Sequence, residues 1–159
     1  MINTQHLTVH LVHEYIMDRP LSIDDLSDRV IAQKVVYLAD ELGVNCGDYR
    51  FNWYKKGPYS PALTKLLYEN DEKNIYTEFS LSPSAIEVLA PLKAVRLYCP
   101  KELSEVDWME LVASLYYLYD NNGESIQKTV DKLVSLKPKY SKKQAFYALE
   151  ILEANGVIC

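Results

Sequence analysis

The chain has 159 residues, 48% of them hydrophobic, so it can bury one substantial core, whereas two equal pieces would each be of marginal size. A formal charge of -5 and a pI near 5.2 oppose whole-molecule attraction to a phosphate backbone and leave room only for a local basic face. No run approaches the roughly 20 apolar residues that a membrane-crossing helix needs, so the expectation is one domain over 1–159, or two sub-lobes, 1–100 and 101–159, sharing a core.

Residues 4–17 set Leu7, Leu11, Val12, Tyr15 and Ile16 on one broad side of a helix that Pro20 ends. Ser22 followed by Asp25 reads as a capping box for a second helix, in which Ile31, Val35, Leu38 and Leu42 recur at helical spacing before Gly43 stops it. Residues 49–54, YRFNWY, are rich in strand formers and close to alternation, which predicts a short strand or an extended arm. Gly57-Pro58 then turns the chain into a helix over 61–69. Residues 70–74 form a polar break and 75–81 a second short strand, giving a small hairpin or wing within 49–81.

Pro83-Ser84 with Glu87 opens a helix that meets a kink or an interruption at Pro91 and closes by Pro100. Ser104 and Asp107 cap the next helix. Its Trp108, Leu111, Val112, Leu115, Leu118 and Tyr119 form the thick apolar stripe of a central core element. Asn121-Asn122-Gly123 is a turn, 124–136 a helix carrying Ile126, Val130, Leu133 and Val134, and the last helix opens at Ser141 with Gln144 as its reciprocal cap. The closing LEANGVIC resembles the end of a helix-turn-helix unit whose wing is cut short. The fold class is therefore mainly α: a compact helical bundle with a winged-helix-like element and a short β-hairpin or extended arm around 49–81.

The three cysteines, Cys46, Cys99 and Cys159, are far apart and contain no C-x-x-C, which suits free thiols in a reducing cytoplasm better than a disulfide framework or a zinc site. The opening MINTQHLTVHLVHEY lacks the basic start and uninterrupted apolar stretch of a signal peptide. Cys46, between Asn45 and Gly47, would be reactive only if exposed, and no histidine lies near it in sequence.

His6, His10 and His13 sit at helical offsets of four and three, with Glu14 adjacent. The expectation is a solvent face of incidental histidines; a borderline metal such as zinc is the second reading, short of a fourth ligand and of the H-E-x-x-H pattern. No G-x-S-x-G elbow, phosphate-gripping glycine loop or convincing carboxylate pair is present, so no catalytic centre and no cofactor is read from the sequence.

The segment most rich in chemistry runs through Arg50, Trp53, Tyr54, Lys55, Lys56, Gly57, Pro58 and Tyr59. Its rings fit packing first, a protein-docking patch second, because Tyr, Trp and Arg are enriched at binding hot spots, and stacking on nucleic acid third. A second basic cluster, Lys137, Lys139, Lys142 and Lys143, opens the last helix beside Gln144. Most simply it is a solvated turn; in a helix-turn-helix reading the lysines would meet phosphates and Gln144 a base edge.

QKVVYLADELG at 33–43, followed by YRFNWYKKGPYSPALTKLLYE at 49–69, resembles the YwgA-like prokaryotic proteins and, more distantly, the SocA-like or Panacea family of phage-associated and antitoxin-related proteins. Lys34, Tyr37, Gly43, Phe51, Tyr54, Gly57, Pro58, Tyr59, Ser60 and Leu63 carry the likeness, and WMELVASLYYLYD at 108–120 and the stretch 136–158 also look familial. The SocA-like branch resembles protein adaptors or toxin-neutralising domains. That implies a non-enzymatic, adaptor or antitoxin-like module binding a partner protein through the aromatic Gly-Pro segment. The alternative is a winged-helix-like nucleic-acid-binding regulator or phage-defence-associated protein using Lys55, Lys56 and the second lysine cluster, and self-association is a further partner class.

Overall fold

The computed structural model describes residues 3–70, 78–122 and 125–158, with backbone alone for 120–122. Its described residues form seven helices and one two-stranded antiparallel hairpin: α1 (Thr4–Met17), α2 (Leu26–Glu41), β1 (Asn52–Tyr54), β2 (Gly57–Tyr59), α3 (Pro61–Glu69), α4 (Pro83–Leu97), α5 (Glu105–Asn122), α6 (Ile126–Leu136) and α7 (Lys142–Ala154). This is the mainly helical bundle with a small hairpin that the periodicity predicts. Among the described residues no helix is long and apolar enough to cross a membrane.

Local chemistry sets the helix boundaries. Asn3 accepts from the backbone N–H groups of Gln5 and His6, Ser60 from Leu63, Ser82 from Ala85 and Ser125 from Lys128, so each cap satisfies a donor with no partner inside its helix. Ser141 and Gln144 make the reciprocal capping box expected of them. At α2 the cap is Asp25, which accepts from Asp28 N–H, rather than a Ser22 box, because Ser22 Oγ takes the N–H of Asp24 instead. Pro91 neither kinks the chain visibly out of helix nor divides it: α4 runs through as one element, and the carbonyl that loses its donor belongs to the exposed Glu87.

Two helices make the centre. Every residue of α2 from Val30 to Ala39 is buried, since α1, α5 and the hairpin pack around it, and α5 adds the predicted Trp108, Leu111, Val112, Leu115 and Leu118. One hydrophobic cluster draws on all seven helices, from Val9 to Ile158. Trp108 Nε1 donates to Val95 O at 2.9 Å and locks α5 onto α4.

Three expectations are corrected. The hairpin pairs 52–54 with 57–59, Trp53 opposite Pro58, around a two-residue Lys55-Lys56 loop, so Gly57-Pro58 forms the second strand and not the turn into a helix. The second strand expected at 75–81 falls partly outside the described residues, and 78–81 is not strand. Asn121 and Asn122 belong to the end of α5 instead of to a turn, and Gly123 lies outside the described residues.

Candidate functional site

Lys34 places an amine in the stretch of α2, Val30 to Ala39, that is buried all round. Only 1% of its surface is exposed, and its Nζ donates to Pro58 O at 2.8 Å. Burial lowers its pKa from 10.5 to about 7, with Glu110 opposing that fall and Lys137 and Lys56 adding to it. Its neighbour Gln33 grips the same strand: Ser60 N–H donates to Gln33 Oε1 at 2.9 Å, and Gln33 Nε2 donates to Ser60 O at 3.0 Å and to Thr64 Oγ1 at 2.9 Å. Consecutive side chains of α2 thus hold both ends of the Pro58-Tyr59-Ser60 backbone.

From the other side, α5 contributes Glu110, also 1% exposed. Its carboxylate pairs with Lys137 Nζ at 3.1 Å and Lys139 Nζ at 3.2 Å, and Lys139 also reaches Asp107 at 3.2 Å. Lys137 then donates to Lys55 O at 2.6 Å and lies 5.2 Å above the Trp53 ring, so it ties the hairpin loop to α5. Lys139 is held above its ordinary pKa because Glu110 and Asp107 outweigh the burial that disfavours its charge. Gly57 has φ +89°, and a Cβ there would stand 2.5 Å from Ser114 Oγ, so glycine is what lets β2 lie against α5. Among the described residues the Ser114 hydroxyl is itself buried without a hydrogen-bond partner.

The backbone of the hairpin is therefore clamped, along β2 and at the Lys55 carbonyl, while side chains at its tip are presented. Gly57, Pro58 and Ser60 are buried; Arg50, Lys55 and Lys56 are exposed; Tyr54 keeps 46% of its surface and meets Tyr59 edge-on at 5.1 Å. Trp53 is half-buried against Tyr117, with ring centroids 5.7 Å apart, and so belongs to the packing. Beside the tip, between α2 and α3, opens a cleft of about 230 Å³. Arg29, Gln33, Lys34, Lys56, Tyr59 and Thr64 supply its polar wall. Ile23, Leu26, Val30 and Leu67 supply its apolar wall, and the exposed Leu26 and Tyr68 stand at its rim.

The other predicted positions separate from this site. Lys137 is buried rather than a surface phosphate contact, Lys139 is paired as above, and Lys142 pairs with Asp131 at 3.2 Å. Lys143 is exposed at the start of α7, and Gln144 Oε1 accepts the Ser141 N–H in the capping box. His6 and His13 are buried instead of facing solvent, because α1 turns that side toward the core and leaves Leu7 and Leu11 half-buried. His10 lies 3.8 Å from Glu14. Among the described residues no group of three or more His, Cys, Asp or Glu side chains is arranged to hold a metal. Cys46 is buried, and desolvation followed by the charge of Asp40 pushes its thiol pKa up, which removes the condition for a reactive thiolate.

Gln33, Glu110 and Ser114 went unnoticed as site residues, and Lys34 stood out only through the family likeness. The available signal was placement: Gln33-Lys34 and Glu110 each interrupt an otherwise apolar helix interior. Compared with protein-family models, curated proteins and solved structures, the chain matches none.

Proposed function

We propose that the protein is a cytoplasmic, non-enzymatic interaction module, adaptor or antitoxin-like, that takes a segment of a partner protein against the hairpin tip and the adjoining cleft. The observation that carries this reading is the contrast within one hairpin. Its backbone is fixed by Lys34 and Gln33 along β2 and by Lys137 at the Lys55 carbonyl, while the side chains of Tyr54, Lys55 and Lys56 remain exposed beside the exposed Leu26 and Tyr68. Rigid aromatic anchors on a preorganised backbone lose little freedom on binding, which favours affinity. The partner-binding role implied by the likeness to SocA-like proteins agrees with it.

The nucleic-acid alternative keeps Lys55, Lys56 and Lys143 exposed but has less to work with in its second cluster, since Lys137, Lys139 and Lys142 already face carboxylates of the same chain. Affinity capture from nuclease-treated and untreated lysates, with Tyr54→Ala and the pair Lys142→Glu/Lys143→Glu as comparisons, separates the two. A defined protein that survives nuclease and is lost in Tyr54→Ala is the expected result. Recovery only of nuclease-sensitive material, lost in the lysine pair and weakening steeply with salt, would overturn it.

A further inference from the structure

We infer that the cleft between α2 and α3 receives the carboxy-terminal residue of a partner chain, with the terminal carboxylate on Lys34 and Tyr59 and an apolar side chain against Val30 and Leu67. This rests on the interaction reading above and specifies what the partner brings.

The cleft and a carboxy-terminal residue are complementary in chemistry. The polar wall offers donors and few free acceptors: Pro58 O is taken by Lys34, and Gln33 Oε1 by Ser60 N–H. In its protonated form Lys34 Nζ uses one hydrogen on Pro58 and keeps two. Gln33 donates to Thr64 Oγ1, and Thr64 donates onward to Tyr59 Oη at 2.7 Å, so the Tyr59 hydroxyl has its own hydrogen left to give. Arg29 uses Nη1 on Ile23 O at 2.9 Å and retains its other donors. Among the described residues three cationic side chains, Arg29, Lys34 and Lys56, line the cleft, and no carboxylate does. A site of this make-up is complementary to an anion with an apolar body, and a charge-assisted bond to a desolvated cation is the strong kind.

Size and setting select the source. About 230 Å³ falls below the roughly 300–1,000 Å³ typical of small-molecule pockets. The rim is extended by exposed Leu26, Tyr68 and Tyr54, which suits a chain continuing out of the cleft. A carboxy-terminal residue places a carboxylate and an apolar side chain on one Cα, so both walls can be met at once.

The test uses fluorescein-labelled peptides of sequence Gly-Ser-Gly-Ser-X, with X as Leu, Ile, Val, Phe or Met. Each is made with a free carboxylate and as the carboxamide, and a third set ends in amide after an internal Leu-Glu. Polarisation is read against the whole protein. At least one free-carboxylate peptide should bind about tenfold or more tightly than its carboxamide. Lys34→Met should erase that difference while the fold persists by circular dichroism, and Tyr59→Phe should reduce it. Equal binding of acid and amide, binding of the internal-acid set alone, or no binding up to millimolar peptide would each overturn the inference. If captured partner then depends on Tyr54 but not on Lys34, the carboxy-terminal anchor fails and the interaction module stands; if it depends on neither, both fail.

Discussion

Replacing Lys34 by methionine tests the electrostatics of the site without its ligand. The lysine is buried, and its pKa falls from 10.5 in the open chain to about 7 in the fold. Between those values the unfolded chain holds a proton that the fold tends to lack, so stability climbs with pH at roughly 1.4 kcal/mol per unit and the cost of the buried charge is fully present below pH 7. Over the whole interval that cost is on the order of 5 kcal/mol. Methionine keeps the length of the side chain and removes the charge, but it leaves Pro58 O without its 2.8 Å donor, a loss of about 1–3 kcal/mol. The variant should therefore be more stable than the parent by a few kcal/mol at pH 6–7. Its advantage should shrink by roughly 3 kcal/mol by pH 9, close to or past the crossing point. Urea unfolding followed by far-ultraviolet circular dichroism at pH 6, 7, 8 and 9 measures this directly. Parallel pH profiles for parent and variant would refute the reasoning, because every other titrating group is common to both.

Glu110→Gln removes the carboxylate that faces Lys137 and Lys139, leaving Lys137 as a buried unpaired cation; a loss of about 3–5 kcal/mol is expected in the same unfolding assay. Gly57→Ala should destabilise strongly, since φ is +89° and the new Cβ would press on Ser114 Oγ at 2.5 Å. Ser114→Ala alone should be near neutral or stabilising, and in a double-mutant cycle it should return part, but not all, of the Gly57→Ala loss. His13 is buried and its pKa lies near 4, chiefly through desolvation and then the Arg19 charge. Its contribution is complete above pH 6.5 and is lost on acidification toward pH 4, a change of roughly 3 kcal/mol, so unfolding midpoints between pH 7 and 4 should fall less in His13→Leu than in the parent.

The elements were legible where a local rule governs them. The S-x-x-Q pattern marks α7, because caps act within one turn, and α4 starts at Pro83 as read although its cap is Ser82. The face of α1 was misjudged for a nonlocal reason: Leu7 and Leu11 look like the obvious inner stripe, yet α2 and α4 bury His6, Val9 and His13 beside it. The hairpin register was hidden for a similar reason. Gly57-Pro58 is turn chemistry by composition, and only the presence of Ser114 behind it requires a glycine in a strand.

The lysines illustrate the same limit from the functional side. By sequence, Lys137 and Lys139 belong with Lys142 and Lys143 in one basic cluster, whereas Lys34 disappears into an apolar helix. The fold redistributes them. A single buried carboxylate, Glu110, draws Lys137 inward and pairs with the exposed Lys139, and Lys137 carries the hairpin loop with it through Lys55 O. Lys34, whose hydrogen-bond partner is a neutral carbonyl, is left with unused donors at the wall of a cleft. A charge kept inside a core without a paired carboxylate lowers stability, a cost that a bound anion would offset. It follows that any anion bound there raises the pKa of Lys34. Binding above pH 7 should then take up a proton and weaken as pH rises, and calorimetric titrations of the tightest peptide in two buffers of different ionisation heat at pH 8 would reveal the uptake. Buffer-independent heats would mean that the carboxylate does not reach Lys34.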